Sequence, residues 1–142
     1  MKIILFIFLT ATVIVNTGCN KKSSTIGTNE MVDTTSAILK YQGNFQKGPY
    51  GTVGGSAMIY LNNRKWQLKL NNFTTTNGPD LKVYLSKEIQ PLNFIKVADL
   101  KSTTGNQVYD IQGSPDFKQY KFALIHCEQF NHLFGSAELM MP

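Results

Sequence analysis

The stretch AMIYLNNRKWQLKLN, residues 57–71, decides how this chain folds. Ala57, Ile59 and Leu61 alternate with Met58 and Tyr60, and after a break Trp66, Leu68 and Leu70 alternate with Gln67, Lys69 and Asn71. A period of two sends successive side chains to opposite faces of a strand, so one face can be buried and the other wetted. The break at Asn62-Asn63 carries residues that tolerate the left-handed backbone of a tight hairpin. The pattern predicts two antiparallel strands.

The same period recurs outward. Leu81, Val83 and Leu85 alternate with Lys82, Tyr84 and Ser86, preceded by the turn residues Thr76-Asn77-Gly78-Pro79-Asp80. Gly78, Pro79 and Asp80 are expected to shape that turn, with the Asp80 carboxylate bonding its own backbone and fixing the register of the next strand. Further strands are expected over residues 93–99, 107–111, 119–127 and 134–140, divided by Gly105-Asn106 and Gly113-Ser114-Pro115-Asp116. Gly54-Gly55 reads as a bend or bulge. Seven to eight short strands without a crossover helix predict an all-β fold, an antiparallel β-sandwich or flattened barrel over residues 41–142.

The 142 residues leave room for one domain, and 42% hydrophobic content supplies a core. The formal charge of +5 falls to +4 without Lys2, since 13 basic residues then face 9 acidic ones. Only Lys21 and Lys22 are adjacent among the lysines, so the clustered basic footprint of a nucleic-acid binder is missing.

Ahead of the domain, Lys2 and the apolar run Ile3–Val15 have the form of a signal peptide, too short for the roughly 20 residues of a membrane span. Asn16-Thr17-Gly18-Cys19 resembles the bacterial lipoprotein box, with Asn16 where an aliphatic residue is usual. Residues 1–18 are thus expected to be a leader, Cys19 a lipidated residue, and residues 19–40 a flexible tether rich in Ser, Thr, Asn and Lys. The alternative is plain secretion with a free Cys19. An exported protein anchored in the bacterial envelope follows, periplasmic or surface facing. Asn20, which is not the Asp associated with inner-membrane retention, points to the outer membrane.

With Cys19 lipidated, Cys127 is the single thiol of the mature chain, so no internal disulfide can form. The plain reading is a small hydrophobe packed in a strand. His126 is its neighbour, but neighbours in a regular strand face opposite ways, so the two can share no ligand unless a bulge intervenes. Gln129 would lie on the Cys127 face. His132 is the second imidazole, and Cys127 with His132 falls short of the four ligands of a structural zinc site, so no metal site is expected. No nucleophile elbow, HExxH or phosphate loop is present, which points away from a classical enzyme.

Three blocks resemble the DM-thirteen domain, an electron-transfer-type module found beside DOMON domains. They are NGPDLKVYLS at residues 77–86, GNQVYDI at 105–111, and YKFALIHCEQFNHLFGSAEL at 120–139. GNFQ at 43–46 with GGSA at 54–57 forms a weaker fourth. The resemblance implies an all-β domain whose Cys, here Cys127, acts in redox chemistry as a bare thiol or by holding a prosthetic group such as haem; beside it, the His126 imidazole either assists haem ligation or faces solvent. His126 stands where the family commonly has a large aromatic, and Gly48-Pro49-Tyr50-Gly51 lacks a His that many members carry.

Two functions are therefore expected to compete. One is electron transfer or thiol redox through Cys127, served by a redox partner protein. The other is a non-catalytic protein- or glycan-binding module, which would show itself as an exposed patch built from Tyr50, Tyr60, Tyr84 or Tyr109.

Overall fold

In the computed structural model, which describes residues 27–142, every regular element is a strand. The hairpin at residues 57–71 is its centre: β3 (Val53–Asn62) and β4 (Lys65–Thr75) pair antiparallel, joined through Asn63 and Arg64 at φ 47° and 66°. Two successive positive φ values match the right-handed twist of the strands they join. The remaining strands are β1 (Thr28–Asn29), β2 (Ala37–Lys47), β5 (Leu81–Ser86), β6 (Phe94–Asp99), β7 (Thr104–Ile111), β8 (Phe122–Cys127) and β9 (His132–Glu138). They form one nine-stranded open sheet in the order β1-β7-β4-β3-β2-β9-β8-β5-β6, antiparallel throughout except for the β1–β7 pair.

The sheet curls because β2 serves both halves. Its residues 37–44 pair with β3, whereas Phe45, Gln46 and Lys47 pair with β9. Opposite Gly43 a side chain would meet the Glu138 backbone oxygen, so the close approach at this corner requires glycine. A second distortion, predicted at Gly54-Gly55, is a bulge. The register slips there, Gly55 has φ +93°, and a Cβ would lie 2.6 Å from the carbonyl oxygens of Asn71 and Asn72. Curling sets Ala57, Ile59, Leu68 and Leu70 of one half against Val83, Leu85, Ile125 and Ala137 of the other in a single core. The fold is all-β as expected, with nine strands in place of seven or eight.

The folded body begins earlier than residue 41. β1 and the start of β2 fall within the stretch expected to be tether. Between them residues 30–36 must pass β7, β4 and β3, about 19 Å at the usual strand spacing, which seven extended residues can span. This strap is fastened by Glu30, whose carboxylate accepts hydrogen bonds from Lys101 Nζ and the Val108 backbone N–H, both at 2.7 Å, and by buried Val32. Such anchoring uses backbone pairing and single contacts, so it leaves no apolar period in the sequence. The leader, Cys19 and Lys21-Lys22 lie outside the described residues. Among the described residues no helix is long and apolar enough to cross a membrane.

Candidate functional site

The predicted site residues sit where β5 and β8 lie side by side, with Leu81 opposite Cys127, Lys82 opposite His126 and Tyr84 opposite Leu124. All six residues of each strand are buried. Alternation still sorts them. Leu81, Val83, Leu85, Ala123, Ile125 and Cys127 enter the main core, whereas Tyr84, Phe122 and Leu124 join Leu133 in a second cluster on the outer face.

Cys127 and His126 therefore point to opposite sides of the sheet. Cys127 is 0% exposed and free, packed among apolar core residues. Cys127 and His126 do not fit a haem held between them, because one group cannot reach both faces of a strand. Gln129 lies past the strand end, exposed in the turn that precedes β9. His132 pairs in register with Cys127, but its ring stacks on Tyr50 at 3.5 Å and 3°. Among the described residues no three His, Cys, Asp or Glu side chains group to hold a metal ion.

The outer face carries the polar chemistry. His126 Nδ1 is buried without a hydrogen-bond partner among the described residues, and burial holds the imidazole pKa below its ordinary value, against the opposing pull of Asn131 and Glu128. Its ring lies 5.5 Å from that of Tyr84. The Tyr84 hydroxyl donates to Glu128 Oε1 at 2.5 Å, and its ring stacks on Phe94 at 4.3 Å. Burial, then the Glu128 carboxylate, pushes the Tyr84 phenol well above its usual pKa, so it stays protonated at neutral pH.

Charged side chains hold this arrangement. Lys82 Nζ lies 2.5 Å from Asp80 Oδ1 and 2.8 Å from Asp99 Oδ1, and Lys96 bridges Asp99 (3.1 Å) and Glu128 (3.8 Å). The Asp80 carboxylate thus pairs with Lys82 and not with its own turn. It is the Asp80 carbonyl that fixes the neighbouring segment, by accepting the Glu128 N–H at 3.0 Å. The turn itself falls at Pro79-Asp80, with Gly78 packed so closely under Leu81 and Phe134 that a side chain there would lie 2.9 Å from Leu81 Cδ2.

Phe94 and Glu128 were not singled out in the sequence, and Tyr84 was expected only as part of an exposed binding patch. Glu128 adjoins Cys127, but its bond to Tyr84 joins residues 44 apart and exists only through the β5–β8 register. Of the four tyrosines that would mark a binding patch, Tyr84 and Tyr109 are buried, Tyr60 is half-buried and Tyr50 is exposed.

A family model described as electron transfer DM13 matches residues 44–139, which covers most of the folded body and both strands of the site. No curated protein and no solved structure matches the chain.

Proposed function

The chain belongs to the electron transfer DM13 family, and from that premise we propose that it is an envelope lipoprotein whose β-domain exchanges electrons through Cys127. The observation that carries the reading is the placement of one unpaired thiol, fully buried, at the very end of β8 within the matched region. Full burial argues against disulfide exchange, which needs in-line attack on an accessible sulfur. A redox partner protein then docks without touching the sulfur. The lipid on Cys19 keeps the domain at the membrane surface, where such a partner is met by diffusion in two dimensions.

Voltammetry of the full chain in detergent tests the redox part. A wave present in the wild type and lost in Cys127→Ala supports the reading, and identical traces refute it. Intact mass of the membrane-extracted protein tests the anchor: an unmodified Cys19 refutes lipidation.

A further inference from the structure

Three tyrosine hydroxyls in the described residues donate to side chains of different kinds. Tyr60 donates to the Met58 sulfur at 3.7 Å, Tyr109 to the Gln107 amide oxygen at 2.6 Å, and Tyr84 to the Glu128 carboxylate at 2.5 Å. A phenol that loses an electron becomes a strong acid, so its oxidation is easiest where a base already holds the hydrogen bond. A thioether and an amide oxygen are too weak for that; a carboxylate serves.

The position of Tyr84 adds a route. Its ring is 1% exposed, but the Phe94 ring stacked on it at 4.3 Å and 21° is 43% exposed. On the other side stands the His126 ring at 5.5 Å, and His126 is the covalent neighbour of Cys127. Aromatic contacts thus lead from the solvent edge of β6 to the residue adjoining the buried sulfur.

We propose that Tyr84 is a one-electron relay of this domain, with Glu128 as its proton acceptor. The proposal deepens the electron-transfer reading and rests on it. In the step, a high-potential one-electron oxidant, such as a high-valent metal centre in the partner, takes one electron from Tyr84 and is itself reduced. The Tyr84 O–H bond breaks as an O–H bond forms on Glu128 Oε1, leaving a neutral tyrosyl radical beside a neutral carboxylic acid. Return of the electron sends the proton back. Lys96 keeps its contact with Asp99 while Glu128 is neutral, so no buried charge is stranded.

The test is flash oxidation of the full chain in detergent by photogenerated ruthenium(III) tris-bipyridine, with the radical trapped by freezing and read by electron paramagnetic resonance. The wild type is expected to give a tyrosyl signal that narrows when tyrosine is ring-deuterated. Tyr84→Phe, which keeps the ring stack, should lower the yield about tenfold; Glu128→Gln, at an exposed position, should do the same while leaving every tyrosine in place. Tyr60→Phe, whose hydroxyl meets only the Met58 sulfur, should leave the yield unchanged. A wild-type yield in Tyr84→Phe or in Glu128→Gln overturns the relay, as does loss of the signal in Tyr60→Phe alone. Failure of the Cys127 reading is seen separately, as a voltammogram that Cys127→Ala does not alter.

Discussion

The two faces of the β5–β8 pair are equally dry and chemically unlike. On the inner face Val83, Leu85, Ala123, Ile125 and Cys127 are all 0% exposed and present only apolar atoms and one sulfur to the opposite half of the sheet. On the outer face Tyr84, Lys82 and His126 are 1%, 7% and 4% exposed, yet each carries a polar tip. Tyr84 and Lys82 meet carboxylates, whereas His126 Nδ1 meets none. Burial alone therefore does not tell the two faces apart. What distinguishes them is whether the buried atoms can change charge, and only the outer face offers such atoms in a connected array.

Substitutions can sharpen that contrast. The largest effect is expected on the inner face, where Ile125→Ala leaves a cavity in close-packed surroundings and should cost about 3–4 kcal/mol in urea unfolding. A loss no greater than that of a surface substitution would break the assignment of this face to the core. Next comes Cys127→Ser, which buries a hydroxyl among apolar groups at a cost of about 1–3 kcal/mol; Cys127→Ala should cost less. If the serine variant is as stable as the wild type, the sulfur is not surrounded as described.

On the outer face Tyr84→Phe removes one hydrogen bond to a half-exposed carboxylate and should cost about 1 kcal/mol, with the ring packing kept. The smallest effect is one of pH. Because the pKa of His126 is depressed in the folded chain, the unfolded chain binds a proton near its ordinary 6.5 while the folded chain still resists it. Stability is thus fully present above pH 6.5 and declines as pH falls below it. His126→Gln should flatten the curve between pH 7.5 and 5.5, and an unchanged slope would show that the imidazole is solvated.

Much of the fold was legible from local pattern. The alternation at residues 57–71 and the Gly54-Gly55 bulge appear where the sequence put them, because each is a property of neighbours one or two residues apart. The opposite orientation of His126 and Cys127 is legible for the same reason. The hairpin turn falls one residue later than Asn62-Asn63, at Asn63-Arg64, because Asn62 still pairs with Lys65. β1 and the strap were not, since Glu30 and Val32 act as single fasteners and create no period. Asp80 was placed in its turn, but its carboxylate found Lys82, two residues on and on the same side of the strand.

The order of residues along each strand settles which side chains alternate and which cannot face the same way. That Glu128 caps Tyr84 across 44 residues, and that Phe94 stacks on Tyr84 at the surface, follows from the folded sheet alone. A strand's alternation is encoded within the strand. The register between strands is chosen by the packing of the whole sheet, and the polar array on the outer face exists only once that register is fixed.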